Sequence, residues 1–342
     1  MQTIKLVFLG FGNVGRALAR LLLSKRQELR QDGIKWRVVG IATARHGAAL
    51  DTAGIPLLQA LELAQSGENL ASLSKTPAPT DGVPFLHASG ADMLFENTPV
   101  NYQTGQPGLD HIRAALQAGM HAITANKGPL VHGYQELTRL AKQRGRRFLF
   151  ESTVMDGAPI FSLWRRALPL ADLRSFRGIL NSTTNLILTL MEQDKSYQQA
   201  VEHAQAIGIA ETDPRGDTQG WDAAIKVAAL TTVLMGMPLK PDQVRRQGIE
   251  ELDPKAVADA LSEGKRWKLI CRAERTQEGV RTSVGPERVD RDDPLYNIMG
   301  TSSAVTFQCD VLGPLTIIEQ DPGPQTTAYG LLADFVEICR QA

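Results

Sequence analysis

The sequence predicts an α/β fold in two parts, a parallel sheet wrapped on both faces by helices and then an α+β domain with a mainly antiparallel sheet. The chain has 342 residues, more than one domain of about 150 residues accounts for. Over positions 1–150, short apolar runs alternate with stretches of helical spacing, the pattern of strands joined by crossover helices. From 151 onward the alternation stops, and longer strands are separated by long helices. We read 1–150 as the first domain, 151–320 as the second and 321–342 as a C-terminal helix returning to the first.

The elements follow in order. Positions 5–9 read as a buried strand, and the glycine-rich turn 10–15 leads into a helix over 16–23. A second strand covers 35–42 and a helix 57–65. Residues 66–91, with Pro77, Pro79 and Pro84, read as a loop-rich insertion before a strand at 92–96. A helix at 108–118, a strand at 121–124, a helix at 134–144 and a strand at 147–150 complete the series. In the second domain, strands are expected at 173–180, 267–275, 280–284, 304–312 and 315–319, and helices at 196–207 and 219–235. A final helix over 326–340 follows the Pro-Gly-Pro turn at 322–324.

Composition narrows the function classes. Hydrophobic residues make up 43% and charged residues 22%, which excludes disordered and fibrous chains. Lys and Arg number 37, as do Asp and Glu, so the overall basic field expected of a nucleic-acid binder is absent. Small molecules are the expected partners. Cys271, Cys309 and Cys339 form no C-x-x-C pair, so neither a structural zinc site nor a disulfide framework is indicated. The start has no basic region followed by an apolar one. The longest apolar stretch, 225–237, contains Thr231 and Thr232 and is short of the ~20 residues that span a membrane. A soluble, cytoplasmic protein with no membrane partner is expected.

Gly10-x-Gly12-x-x-Gly15, with Asn13 and Val14 inside it, carries the first chemical signal. The first glycine permits a tight turn, the second lets the backbone approach a pyrophosphate, and the third lets the helix press on the strand. The helix N-terminus offers N–H groups and positive dipole to phosphates. Three glycines can also simply make a turn. Here they follow the first strand and open an amphipathic helix, the context of a Rossmann-type dinucleotide-binding domain. The second strand ends Ile41-Ala-Thr-Ala-Arg45, without the carboxylate that holds the ribose 2′-hydroxyl of NAD. Arg45 is either a solvated loop residue or the partner of a 2′-phosphate. NADP is therefore the expected cofactor, with NAD possible.

Thr124-Ala-Asn-Lys127 follows a strand, at the sheet edge where ligands gather. Lys127 there reaches a substrate oxygen or the nicotinamide, or merely snorkels to solvent. The densest constellation is 208–226, where Glu211, Asp213, Asp217 and Asp222 precede an apolar helix bearing Lys226. Asp222 and Lys226 are i, i+4 and share a helix face. Such a pair is ordinarily a surface salt bridge worth little. The apolar residues around it (Ala223, Ala224, Ile225, Val227, Ala228) imply a buried helix instead, and so a site.

These motifs resemble homoserine dehydrogenase. The likeness rests on Gly10-x-Gly-x-Val-Gly15, Thr-Ala-Asn-Lys at 124–127, Glu151-Ser-Thr-Val-Met-Asp-Gly157, Gly178-Ile-Leu-Asn-Ser-Thr-Thr-Asn185, the 211–226 block and the closing 323–334 stretch, in the family's order. The resemblance implies interconversion of L-aspartate 4-semialdehyde and L-homoserine with NAD(P)(H), on the route to threonine and methionine. It implies Lys226 as proton donor to the carbonyl oxygen, Lys127 assisting at that oxygen and touching the cofactor, and Glu211 and Asp222 binding the substrate's amino-acid end. Thr98, Gly208 and Gly323 would border the cofactor with the 10–15 turn. A monovalent cation, usually sodium, would sit on Glu151, Val154, Asp156 and Ala158, largely through backbone carbonyls. A homodimer through the second domain is also implied. The chain departs from the family pattern at Met155-Asp156 in the cation loop and at Asn181-Ser182, where Asn-Gly is commoner. The form expected from the resemblance is the short one, without a C-terminal regulatory domain.

The chemistry suits these residues. An ammonium beside an aldehyde oxygen stabilises the charge that hydride transfer creates and then supplies the proton, and a neighbouring carboxylate favours the charged lysine. Alcohol oxidation needs the neutral form, so it should rise on the alkaline side. Two other readings are a phosphorylating semialdehyde dehydrogenase, which needs a nucleophilic cysteine, and a non-catalytic NADP-binding redox sensor, which has no use for Lys127, Glu211, Asp222 and Lys226 together.

Overall fold

The residues between Ile4 and Leu9 form β1 and are buried from Leu6 onward, which makes this strand the centre of the first sheet. The computed structural model describes residues 3–341. After β1 come α1 (Asn13–Ser24), α2 (Arg26–Gln31), β2 (Trp36–Ala42), β3 (Ala48–Leu50), α3 (Leu57–Ser66), α4 (Gly82–Ser89) and β4 (Met93–Glu96). α5 (Gly108–Gln117), β5 (His121–Thr124), α6 (Gly128–Gln143) and β6 (Phe148–Leu149) follow. Next are α7 (Phe161–Arg166), β7 (Leu173–Ile179), α8 (Ser182–Met191), α9 (Tyr197–Ala206), α10 (Arg215–Thr218), α11 (Trp221–Leu234), β8 (Arg245–Arg246) and α12 (Pro254–Ser262). The chain ends with β9 (Arg266–Thr276), β10 (Gly279–Val289), β11 (Ser303–Cys309), β12 (Leu315–Glu319) and α13 (Pro324–Cys339).

Among the described residues the strands form two six-stranded sheets. The first has the order β3-β2-β1-β4-β5-β6. All its pairings are parallel except β2 with β3, so this is the doubly wound arrangement expected from the sequence. The strand order reverses between β1 and β4, and ligands of such sheets gather outside the carboxyl ends at that point. The second sheet, β12-β11-β7-β9-β10-β8, is antiparallel except where β8 joins β10.

The chain divides into two compact units, 1–159 with 323–342, and 160–322. Residues 151–159, expected in the second domain, pack with the first. The Glu151 N–H donates to Asp334 at 2.8 Å and the Ser152 hydroxyl to the Thr327 carbonyl at 2.6 Å, both partners lying on α13. That helix belongs to the first unit. Its Ala328, Leu331, Leu332, Phe335 and Ile338 share one apolar core with Leu6, Phe8, Leu18, Leu22 and Phe95.

Other differences have local causes. The expected loop 66–91 contains α4, because Pro84 falls in the first turn, where no intrahelical N–H is required, and Phe85 and Leu86 are buried beneath it. α6 starts six residues before the expected 134, with Gly128 and Pro129 as its opening residues. Proline at a helix start is favourable. The strands β3 and β8 and the helices α2, α7, α8, α10 and α12 were not expected. The strand expected over 304–312 stops at Cys309.

Candidate functional site

In the first unit the turn after β1 is held by its neighbours. The Gly10 N–H donates to Ala42 O at 2.9 Å and the Asn97 N–H to Leu9 O at 2.7 Å. Gly10 has φ +91°, and a Cβ there would lie 2.4 Å from Asn97 O and 3.0 Å from the Thr98 nitrogen. A Cβ on Gly15 would lie 2.7 Å from Gly10 O. The fold itself thus requires these two glycines.

Gly12 differs. It is the N-cap of α1 at φ −75°, an ordinary backbone conformation, and a Cβ there would meet no protein atom within 4 Å. Gly323, the N-cap of α13, is extended (φ −165°), and a Cβ there would make only an ordinary contact, 3.6 Å from Gln325. Neither is demanded by packing. Open space over an uncapped helix N-terminus is what a pyrophosphate requires. Asn13 is exposed and takes a hydrogen bond from Arg16 at 2.9 Å, and Val14 is half-buried. Arg45 is exposed in the β2–β3 loop. These features fit a dinucleotide.

At the carboxyl ends of β4 and β5 lies a network that the sequence reading did not single out. Glu96 is fully buried. It accepts from the Thr98 N–H at 3.1 Å, from the Thr98 hydroxyl, and from the Thr124 hydroxyl at 2.9 Å. Asn126 donates to the Thr98 carbonyl at 3.2 Å and accepts from the Gly128 N–H at 2.9 Å. The network fixes Thr98 against Gly10, and it fixes the turn that presents Lys127, the half-buried residue at the N-terminus of α6. A carboxylate closing an otherwise apolar strand was the available signal.

The loop 151–158 is closed by its own hydrogen bonds. Ala158 N–H donates to Met155 O at 2.8 Å and Thr153 N–H to Phe150 O at 3.2 Å. Asp156 has φ +41°, and its carboxylate accepts from the Thr327 hydroxyl. Glu151, Val154 and Ala158 are buried. No group of three or more His, Cys, Asp or Glu side chains among the described residues is placed to hold a metal ion, so any cation here would rest on carbonyl oxygens.

In the second unit, α11 is buried almost all round: Ala223, Ala224, Ile225, Val227, Ala228, Ala229 and Leu230 are fully enclosed. The Lys226 ammonium lies 2.9 Å from Asp222 Oδ2, with side-chain exposures of only 14% and 12%. It also donates to the Leu180 carbonyl at 2.6 Å. This is no solvated surface pair. Asn181 Nδ2 donates to Asp217 Oδ1 at 2.7 Å and to Asp222 Oδ2 at 3.0 Å. Burial first, and then the Asp222 carboxylate, raise the Asp217 carboxyl above its usual range. The cluster holds two carboxylates and one ammonium, a surplus of acceptor charge suited to a substrate amino group.

Asp217 was noted in the sequence only as one of four carboxylates, and Asn181 only as part of a motif. Glu211 is exposed, and its backbone carbonyl accepts from Gln205 at 3.2 Å. Gly208 has φ +76° just beyond α9, so its own backbone asks for glycine. The cysteines do not suit nucleophilic chemistry. Burial pushes the Cys271 and Cys339 thiols up to about 12 and raises Cys309, the reverse of an activated thiolate.

Comparison with known proteins agrees with this geometry. The family model described as "Homoserine dehydrogenase" matches residues 159–336, and that described as "Homoserine dehydrogenase, NAD binding domain" matches 10–151. The chain is 34% identical to the NAD(+)-dependent homoserine dehydrogenase of Pseudomonas canavaninivorans, over 100% of this chain and 98% of that one. It is also 34% identical to the homoserine dehydrogenase of Methanocaldococcus jannaschii, over 97% of this chain and 98% of the other. A hyperthermophilic archaeal homoserine dehydrogenase solved in complex with NADPH superposes with a TM-score of 0.85 at 27% identity, covering 100% and 99% of the two chains. With a matched cofactor unit, a matched second unit and relatives alike over their whole length, the chain belongs to the homoserine dehydrogenase family.

Proposed function

We propose that this chain interconverts L-homoserine and L-aspartate 4-semialdehyde with NAD(P)(H), a step on the cytoplasmic route to threonine and methionine. The observation that carries the reading is the Lys226 ammonium, held between Asp222 Oδ2 and the Leu180 carbonyl on a largely buried helix. A lysine so held is restricted to one position.

The nicotinamide, when bound, takes up or supplies the hydride. In reduction, Lys226 stabilises the negative charge growing on the aldehyde oxygen and then gives it a proton, leaving a neutral amine and the alcohol. Lys127 assists at the same oxygen. Asp222, with Asp217 beside it and Glu211 from its loop, receives the substrate's amino-acid end. A substrate ammonium there relieves the raised Asp217 carboxyl. In oxidation the neutral amine accepts the hydroxyl proton, so that direction gains rate as pH rises.

Gly10, Gly12, Asn13, Val14 and Gly15 would hold the pyrophosphate, with Thr98, Gly208 and Gly323 bordering the cofactor. Arg45 would pair with a 2′-phosphate, which favours NADP over NAD; of the relatives above, one is named for NAD(+) and one was solved with NADPH. A monovalent cation, sodium in most of the family, would be held by Glu151, Val154, Asp156 and Ala158. The second unit pairs with its copy in a homodimer.

The test is homoserine-dependent formation of reduced nicotinamide, followed by its near-ultraviolet absorbance with NADP and with NAD. Lys226→Ala should lower kcat by about a hundredfold or more, with cofactor affinity little changed. Turnover that survives this change, or oxidation fastest on the acid side of neutrality, removes Lys226 from its role.

A further inference from the structure

We propose that Asn181 is a positioning residue: its side-chain amide holds the Asp217 and Asp222 carboxylates side by side and, through Asp222, fixes where the Lys226 ammonium sits. The proposal rests on Lys226 as proton donor.

The orientation of the amide is settled by its partners. Asn181 Oδ1 accepts from the Thr184 backbone N–H at 2.8 Å. A backbone N–H can only donate, so the oxygen must face it. The NH₂ group therefore points the other way, at Asp217 Oδ1 (2.7 Å) and Asp222 Oδ2 (3.0 Å). That Asp222 oxygen is the one that meets Lys226 at 2.9 Å. Both amide hydrogens are spent on carboxylates, and Asn181 is only 3% exposed, so water is poorly placed to substitute.

The backbone adds a second hold. Lys226 donates to the carbonyl of Leu180, the residue just before Asn181. The β7–α8 turn therefore grips the ammonium directly at 180 and through a carboxylate at 181. Without the amide, the two carboxylates would lose the donor that joins them, and Asp222 would be held less firmly toward the lysine.

Within this unit Asp217 on α10, Asp222 and Lys226 on α11, and Cys271 on β9 act on one another. Burial pushes the Cys271 thiol up to about 12, so it stays neutral through the working range. Changes in pH are then felt by the carboxylates and the lysine.

Asn181 also caps α8, and a purely structural role must be separated from positioning. Asn181→Ser and Asn181→Asp both supply good N-caps. The serine has one proton and cannot donate to both carboxylates. The aspartate donates to neither while ionised, but regains one donor when protonated. Homoserine oxidation is measured for each from about pH 6 to pH 10 and divided by the wild-type rate at each pH. We expect Asn181→Ser to melt near the wild-type temperature, with kcat lowered about tenfold or more and KM for NADP unchanged. Asn181→Asp should lose more, and its ratio to wild type should climb as pH falls. Wild-type kcat in Asn181→Ser overturns the proposal, and so does an Asn181→Asp ratio that is flat with pH. Lys226→Ala in the same assay separates the two readings. If it stays active, the proton-donor reading fails; if it is dead while both Asn181 variants behave as wild type, positioning alone fails.

Discussion

Gly10, Gly12 and Gly15 look equivalent in the sequence and answer to different causes. Gly10 is required by a positive φ and by Asn97 O at 2.4 Å from its Cβ position, and Gly15 by the Gly10 carbonyl at 2.7 Å. Gly12 faces open space. The sequence announced the triplet through its place between a strand and an amphipathic helix, but not which glycine serves the fold. That distinction depends on where the β4 loop passes, a contact made across 87 residues or so of chain, between turns at 10 and 97. The consequence is a split between variants. Gly12→Ala should melt within a degree or two of wild type and bind the dinucleotide about tenfold more weakly, about 1.4 kcal/mol. Gly10→Ala should lose stability as well, since φ > 0 and a backbone clash both oppose a side chain. Thermal melts with and without NADP distinguish them. Unchanged affinity in Gly12→Ala would mean that the pyrophosphate does not approach that backbone.

Elements with a plain hydrophobic period were legible, and those fixed by capping or by distant partners were not. α12 opens at Pro254 with the Asp253 side chain accepting from the Lys255 N–H, a start signal easily mistaken for a turn. α8 begins Ser-Thr-Thr-Asn, residues that favour caps and turns over helix interiors. Its stability comes from packing: Asn185 donates to the carbonyls of Ile298, Gly300 and Ser302 at 3.0–3.2 Å. Lys268 on β9 completes that arrangement, donating to Asn185 Oδ1 at 3.1 Å and Ile298 O at 2.6 Å while fully buried. A lone lysine in a strand gives no such sign in the sequence. Burial lowers Lys268 from 10.5 to about 8, against the pull of Glu192. Below about pH 8 the ammonium is charged in both folded and unfolded chains, and the folded state bears the full cost of burying it. Between about 8 and 10.5 the folded chain gives up its proton first, so stability contributed by this group rises with pH, by about 3 kcal/mol in all. Lys268→Met removes this dependence, whatever fixed cost the unpaired carbonyls add. Melting curves from neutral to alkaline pH should show wild type gaining on the variant; a constant gap between them would mean that the lysine is not desolvated as described.

At the scale of the whole chain, the first unit is finished by a segment far from it in sequence. The chain leaves it after Pro159 and returns at Gly323, and α13 supplies five residues of its principal apolar core. At about 1.5–3 kcal/mol for each such side chain, α13 contributes on the order of 10 kcal/mol, comparable with the whole stability of a typical domain. The dinucleotide turn therefore depends on residues more than 300 positions away. Phe335 links the two directly: it is fully buried, its ring lies 6.1 Å from that of Phe95, and Phe95 lies 5.1 Å from Phe8 on β1, the strand that leads into the glycine turn. Phe335→Ala should cost about 3–5 kcal/mol and lower the melting temperature by roughly 10 °C or more. Leu58→Ala, at a position 64% exposed, should change it by little. Since a ligand bound only to the folded state adds stability by mass action, saturating NADP should restore part of the loss in Phe335→Ala. If the variant melted at the wild-type temperature, α13 would be an accessory to the first unit rather than part of its core.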